Sequence, residues 1–320
     1  MRHVLSTKTR KTKVKPNTTL KAKKGAESFI YLCTRGGLND CLVQLLHILA
    51  YAQKHRRSIL LQMKTYSAAD LSSIFDFSQF PVPIYTNVKE RLAAFPKEVF
   101  EPRVNPLKIQ WGLPTQFNLQ REYPREKVLL YSKGFGGDGF PLLKYIRFTP
   151  EFLTDFQTYR KKLGLPREYV SMHLRATDRK MMINNNVRGI SLAESNIIIK
   201  TPTVSKDPKK ASLEKIERFV RMFEDLPIFT ASDNPALLAL LKKKYPQMIM
   251  SESSFNYNND TAGVLHKRYG SKDANILKEA FFDLLLLAGG EAIITSAGGF
   301  SRLAKKLQVD KALLADMCQS

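Results

Sequence analysis

Short apolar runs alternate with amphipathic segments along most of this sequence. Residues 28–33 are apolar, residues 40–54 place apolar side chains at helical spacing, and residues 58–63 are apolar again. A glycine-containing turn separates the first run from the helical segment. This order predicts two parallel strands joined by a right-handed crossover helix.

The second half of the chain repeats this alternation more regularly. Strands are predicted over 169–174, 227–232, 247–252 and 291–296, and helices over 212–225, 234–246, 273–289 and 300–308. Earlier in the chain, residues 66–126 are rich in proline and aromatic side chains, which predicts irregular structure. Residues 127–132 predict one more strand, and Thr149 followed by Pro150 predicts the start of a helix over 149–164.

This order of elements predicts an α/β protein with two Rossmann-like domains, each built on a parallel sheet. The expected organisation is a basic disordered tail over 1–27, an N-terminal domain over 28–148 and a C-terminal domain over 149–320. A chain of 320 residues suits this arrangement, because domains of about 150 residues are common.

The charge of the chain is strongly positive and unevenly distributed. The formal net charge is +22, and the first 26 residues contain nine Lys and Arg but no Asp or Glu. Such a run is typical of a solvated, disordered segment. Weak contact of this tail with nucleic acid or with an anionic membrane surface is the alternative, and an organellar transit peptide stays open.

Other features of the composition narrow the compartment and the chemistry. The three cysteines argue against a disulfide framework and predict a reducing compartment, the cytoplasm. Every apolar run is shorter than the roughly 18 residues of a membrane span, so no transmembrane segment is expected. The Cys and His residues are scattered, so we expect neither a metal site nor a cofactor.

Two polar motifs follow predicted strands, where ligands of parallel sheets bind. In "TRGGLND", Gly36 and Gly37 permit a close backbone approach, and the following helix offers its N-terminal amides to an anion. A plain strand–helix turn is the alternative for this motif. In "HLRATD", Arg175 can bind a phosphate bidentately and Asp178 can hold it in place, whereas His173 suits a core position equally well.

Two further motifs have the same relation to predicted strands. In "FTASDNP", Asp233 is either the N-cap of a helix or a hydrogen-bond acceptor for a nucleotide. In "ITSAGGFSR", Ser296 and Gly298 precede a helix that also carries Arg302, an arrangement that suits a pyrophosphate. Asp283 is a carboxylate within an apolar helix and therefore needs a partner.

Taken together, "GGLND", "HLRATD", "FTASDNP" and "FFDLLLLAGGEAIITSAGGFSR" resemble the nodulation-type and α-1,6-fucosyltransferases. The chain looks like a divergent bacterial or viral member of that superfamily. The resemblance implies a GT-B-like architecture and an inverting, metal-independent transfer of a sugar from a nucleotide sugar, GDP-fucose, to a glycan acceptor. Two positions depart from the family pattern. Ala176 stands where a second arginine is common, and Ile183 stands where α-1,6 members have a carboxylate.

The resemblance also implies roles for individual residues. Arg175 would grip the donor diphosphate and act in catalysis, and the candidates for the general base are Asp178, Asp40 and Asp138. The donor-binding residues that it implies are Gly36, Gly37, Asn39, His173, Arg175, Asp233, Asp283, Ser296, Gly298, Ser301 and Arg302.

Three other functions stay open on the sequence alone. The donor could be another nucleotide sugar, such as UDP-xylose. The chain could bind a nucleotide sugar without turning it over, because the base is unassigned. A nucleic-acid-binding protein is the third alternative, although the positive charges are scattered and no RNA-binding motif or zinc finger is present.

Overall fold

The computed structural model describes residues 28–66, 69–93, 100–101, 119–123, 128–131, 137–175, 208–232, 235–252, 274–296 and 298–319. The predicted basic tail over 1–27 lies outside these ranges. Within them, no helix is long and apolar enough to cross a membrane.

Eleven strands and eight α-helices are formed by the described residues. The strands are β1 (Phe29–Thr34), β2 (Ser58–Met63), β3 (Phe75–Asp76), β4 (Ile84–Tyr85), β5 (Phe100–Glu101), β6 (Val128–Tyr131), β7 (Arg147–Phe148), β8 (Val170–Leu174), β9 (Ile228–Ser232), β10 (Ile249–Met250) and β11 (Ile293–Thr295). The helices are α1 (Leu38–Lys54), α2 (Val88–Ala93), α3 (Pro150–Lys162), α4 (Pro208–Met222), α5 (Pro235–Lys244), α6 (Ile276–Gly289), α7 (Gly299–Val309) and α8 (Lys311–Met317). Short 3₁₀ segments cover Lys64–Tyr66, Leu71–Ser73 and Phe140–Tyr145.

All the strands except β3 and β7 form two parallel sheets, as predicted. The first sheet has the order β4-β2-β1-β6-β5 and the second has the order β10-β9-β8-β11, and every pairing in both is parallel. In each sheet the strand order reverses at one central strand, β1 in the first and β8 in the second. Ligands of such sheets bind in the crevice at the carboxyl end of that strand.

Helices cover the sheets and join them through one apolar cluster. In the second sheet, α6 and α7 pack on one face, while α4 and α5 pack on the other. In the first sheet, α1 covers one face and α2 packs against the other. The cluster on the α1 face is continuous with the cluster on the α6 and α7 face, so helices from both halves share a core. The α/β fold class is therefore confirmed, and the exact domain limits stay a prediction.

Several elements differ from the sequence-based expectation. The segment predicted to be irregular contains β3, which pairs antiparallel with β7 at the end of the first half. Helix α8 was not predicted, and α4 begins at Pro208 rather than at residue 212. Thr149 is the predicted N-cap of α3, because its hydroxyl accepts a hydrogen bond from the Phe152 amide at 3.2 Å.

An aromatic cluster fixes the β3–β7 pair against the second half. The rings of Phe148 and Phe152 stack with centroids 4.3 Å apart, and Phe281 of α6 meets Phe75 at 5.1 Å. The ring centroid of Phe282, also in α6, lies 5.1 Å from that of Phe152. Offset and edge-to-face contacts of this kind add to the burial of the rings themselves.

Replacing Phe148 by alanine should therefore destabilise the whole chain. The expected loss in the free energy of unfolding is about 3–5 kcal/mol, the range for a fully buried phenylalanine. Denaturant unfolding of Phe148→Ala measures this loss. Leu240→Ala, at a side chain that is 58% exposed on α5, is the control and should leave the midpoint unchanged. Equal midpoints for the two variants would contradict the role of the aromatic cluster.

Candidate active site

The carboxyl end of β8 brings together four of the predicted site residues. His173 lies in β8, and its Nδ1 atom is 2.7 Å from the Ser301 hydroxyl on α7. The Arg175 amide, just after β8, donates to the hydroxyl of Ser296 at 2.8 Å, and Ser296 directly follows β11. His173, Ser296 and Ser301 are buried. The end of β8 is thus tied to the start of α7 through hydroxyl groups on two neighbouring segments.

The N-terminus of α7 faces the Arg175 side chain. Gly298 is the N-cap of α7, with φ of +150°, and no described side chain caps this end of the helix. An ideal Cβ atom built on Gly298 would lie 3.5 Å from Arg175 Nη1, so the guanidinium lies beside the first turn of the helix. Helix N-termini attract anions through their free amides and their dipole. A guanidinium at that position adds a full positive charge.

The N-terminus of α1 meets the N-terminus of α7 at the same place. An ideal Cβ on Gly299 would lie 2.8 Å from Asn39 Cβ, which is too close for any side chain. Gly36 has φ of +98°, and the amide of Gly37 donates to the Asp40 carboxylate at 3.1 Å. Two helix N-termini of the same polarity therefore converge at the carboxyl edges of both parallel sheets.

Asn39 has a structural contact in addition to its place at this convergence. Its Oδ1 accepts a hydrogen bond from the Gly139 amide at 3.0 Å, and its Nδ2 donates to the Gly137 carbonyl at 3.5 Å. Arg302 of α7 donates to the same Gly137 carbonyl at 3.2 Å. Asn39 and Arg302, both implied as donor-binding residues, thus hold loop 137–139 against α1 and α7.

Two of the candidate bases also make structural contacts. Asp40 accepts from the Gly37 amide within the first turn of α1, as described above. Asp138 forms an ion pair with Lys306 of α7 and accepts from the Phe140 amide at 3.1 Å. Partial burial would raise the pKa of Asp138, but the hydrogen bonds from Lys306 and Phe140 and the charge of Lys306 outweigh it and hold that pKa below its usual value. A depressed pKa makes Asp138 a weaker base.

Asp283 has a hydrogen-bond partner, as the sequence requires. The side chain is 3% exposed, and it accepts a hydrogen bond from the Ser251 hydroxyl at 2.7 Å. Ser251 directly follows β10, and its hydroxyl lies 3.4 Å from the hydroxyl of Tyr159. Asp283 therefore supports the carboxyl end of β10, two strands away from His173 and Arg175 in the sheet order.

Two serines that were not predicted lie at the edge of the second sheet, whereas the predicted residues Asp178 and Asp233 lie outside the described residues. Ser232, the last residue of β9, is buried in register with Leu174 of β8, and Ser251 occupies the corresponding end of β10. Neither serine was predicted as a site residue. The feature that could have identified them is a hydroxyl at the carboxyl end of each predicted strand.

The positive charge at the end of β8 is carried by Arg175 and not by His173. Burial and, to a smaller extent, the nearby Arg175 charge together lower the pKa of His173 to about 4. His173 is therefore neutral at neutral pH and serves as a hydrogen-bonding group. Among the described residues, no three His, Cys, Asp or Glu side chains cluster in a way that could hold a metal ion.

Comparisons with known proteins match this geometry at the level of the fold. No protein-family model and no curated protein sequence matches the chain. The structure of NodZ α-1,6-fucosyltransferase, an enzyme from Bradyrhizobium, co-crystallised with GDP superposes with a TM-score of 0.51. That match has 15% sequence identity and covers 88% of this chain and 92% of that chain. This chain has the GT-B-like fold of NodZ.

Two other solved structures give similar values. NodZ soaked with GDP-fucose has a TM-score of 0.50, with the same identity and the same coverage of both chains. POFUT1 in complex with GDP has a TM-score of 0.49 and 15% identity, over 89% of this chain and 96% of that chain. The two NodZ matches confirm the predicted GT-B-like fold, and the roles of individual residues stay predictions.

Because His173 is buried, we expect the free energy of unfolding to depend on pH. The unfolded chain binds a proton at His173 below about pH 6.5, whereas the folded chain does so only near pH 4, so acidification through this window favours unfolding. The slope from this one group is about 1.4 kcal/mol per pH unit. Chemical unfolding from pH 7 to pH 4 should show a slope that is steeper by this amount in the wild type than in His173→Asn. His47→Asn, on the exposed surface of α1, is the matched control, and identical profiles for all three proteins would refute the prediction.

The close contact between α1 and α7 predicts that alanine is not tolerated at Gly299. The added methyl group would meet three atoms of the Asn39 side chain at 2.8–2.9 Å, so the two helix N-termini must separate. We expect Gly299→Ala to lower the free energy of unfolding by about 1–3 kcal/mol. Gly37→Ala is the matched control, since its methyl group would approach only Asp40, at 3.8 Å. Thermal unfolding measures both, and an unchanged Tm for Gly299→Ala would contradict the observed packing.

Proposed function

We propose that this chain is an inverting, metal-independent glycosyltransferase that transfers fucose from GDP-fucose to a glycan acceptor. The observation that carries this proposal is the convergence of the α1 and α7 N-termini beside the Arg175 guanidinium. This convergence lies at the carboxyl ends of the two strands where the order of the parallel sheets reverses. A diphosphate is the group whose charge and size such an arrangement suits.

The donor diphosphate would bind between these groups. Arg175 offers a planar pair of N–H donors that matches the oxygens of a phosphate. The amides in the first turn of α7 provide further donors, and Gly298 leaves room for a close approach of the ligand to the backbone. These fixed positive groups would take the charge-balancing role that a divalent cation has in other phosphate sites.

The reaction would be a single displacement at the anomeric carbon. The acceptor hydroxyl oxygen forms a bond to that carbon, the bond to the diphosphate oxygen breaks, and the hydroxyl proton passes to a base. Negative charge then accumulates on the departing diphosphate, where Arg175 and the α7 amides stabilise it. Asp178 is the candidate that we assign as base, because Asp40 and Asp138 are bound to backbone amides and, for Asp138, to Lys306.

The identity of the donor is supported by the fold comparison. NodZ, whose fold this chain shares, is an α-1,6-fucosyltransferase that has been crystallised with GDP and soaked with GDP-fucose. The same comparison with a glycosyltransferase supports the proposed glycan acceptor. The alternatives from the sequence, a UDP-sugar donor and binding without turnover, are distinguished by the experiments below.

Binding of nucleotides tests the proposal directly. GDP should raise the Tm of the wild-type chain more than UDP does, and Arg175→Ala should weaken GDP binding by about 10–100-fold, the loss expected for charge-assisted hydrogen bonds to phosphate. Arg167→Ala is the matched control, because this exposed arginine precedes β8 at the opposite, amino end of the same strand. Calorimetric titration of GDP into the three proteins gives the dissociation constants.

The outcomes separate the alternatives. Stabilisation by UDP and not by GDP would replace fucose by a sugar carried on UDP. Stabilisation by neither nucleotide would overturn the proposed function. Fucose transfer or GDP-fucose hydrolysis that persists in EDTA supports a metal-independent enzyme, whereas GDP binding without turnover identifies a binding protein. If deletion of residues 1–27 abolished the function of the chain and Arg175→Ala did not, the chain would instead be a nucleic-acid-binding protein.

A further inference from the structure

One buried glutamine holds the turn between β1 and α1. Gln44 lies in α1, nine residues after Arg35, and is 1% exposed. Its Nε2 donates to the Arg35 carbonyl at 2.7 Å and to the Asp40 carbonyl at 2.9 Å. Its Oε1 accepts from the Arg35 amide at 3.3 Å. A single side-chain amide therefore binds both backbone groups of the residue that begins the glycine turn.

The rest of this turn is held by the same helix. Gly37 donates to the carboxylate of Asp40, and its carbonyl accepts the amide of Cys41 at 3.1 Å. Gly36 sits between these anchored residues at φ of +98°, a conformation that glycine adopts without strain. Segment 35–37 is thus anchored at both ends by α1.

A polar side chain at this position is unusual for its surroundings. The same face of α1 buries Cys41 and Ile48, one turn before and one turn after Gln44, in the apolar cluster. An apolar residue of the same length would bury more apolar surface and require no hydrogen-bond partner. The amide group instead makes two of its three hydrogen bonds to Arg35, so its main effect is on the turn geometry.

We propose that Gln44 is a positioning residue for the nucleotide-sugar site. This inference rests on the proposed function. Gln44 fixes the backbone of Arg35, and thereby sets where the α1 N-terminus and Asn39 meet Gly299 and loop 137–139. A turn held in advance binds its ligand without losing further conformational freedom. Without the hydrogen bonds from Gln44, Gly36 and Gly37 would sample other conformations. Ordering the backbone of one residue costs about 1–2 kcal/mol.

Two substitutions of Gln44 and two control substitutions of Ile48 test this inference. Gln44→Met keeps the length of the side chain but removes all three hydrogen bonds. Gln44→Glu is the conservative variant, because a buried glutamic acid favours its neutral form, which retains one donor and one acceptor. Ile48→Val and Ile48→Ala, one turn further along α1, bracket the loss of stability without touching the turn.

We would measure hydrogen exchange across residues 35–37 and the dissociation constants of GDP and UDP. All measurements would be made at a temperature well below the lowest Tm among the variants. For Gln44→Met we expect faster exchange at the turn and about tenfold weaker GDP binding, equivalent to about 1.4 kcal/mol. Gln44→Glu should lie between Gln44→Met and the wild type, and closer to the wild type at lower pH. The Ile48 variants should keep wild-type GDP affinity at any loss of Tm.

The outcomes are distinct from those of the proposed function. If Gln44→Met and an Ile48 variant of equal Tm bind GDP equally well, Gln44 stabilises the fold only and the inference is wrong. Unchanged exchange at 35–37 would also overturn it. A wild-type chain that binds neither GDP nor UDP would overturn the proposed function, and this inference would fall with it.

Discussion

The close approach of two helix N-termini is the constraint on which the rest of this structure depends. The dipoles of α1 and α7 present the same sign to one another, so their convergence is electrostatically unfavourable in the absence of an anion. Packing holds the helices there, because Gly299 leaves no room between α7 and the Asn39 side chain. The shared apolar cluster that α1 and α7 join supplies the free energy for this arrangement. The stability of the fold and the geometry of the proposed diphosphate site thus depend on the same contact.

Local patterns were sufficient to predict the elements that carry the site. The limits of β2 agree with the predicted strand, and Thr149 caps α3 as expected, because apolar runs and capping residues act within a few positions. The position of His173 and Arg175 at a strand end also follows from such patterns. Parallel strands bring their carboxyl ends to one edge, so the sequence could predict that the polar motifs gather there.

Long-range contacts could not be predicted in this way. Asn39 binds loop 137–139 about a hundred residues away, and Asp138 pairs with Lys306 far along the chain. No local pattern indicates either pairing. The β3–β7 pair is similar, because two-residue strands are too short for a periodic signal and are fixed by the aromatic cluster around Phe148. As a result, acids that look catalytic in the sequence have structural contacts in the fold.

The neutral state of His173 has a consequence for how the rate of the reaction would depend on pH. This imidazole binds no proton until the medium is strongly acidic, and arginine keeps its charge at any ordinary pH. The charge of these two side chains at the end of β8 is then constant across the physiological range. In the proposed reaction, an inflection in the rate profile between pH 5 and 9 would therefore report a group other than His173 and Arg175.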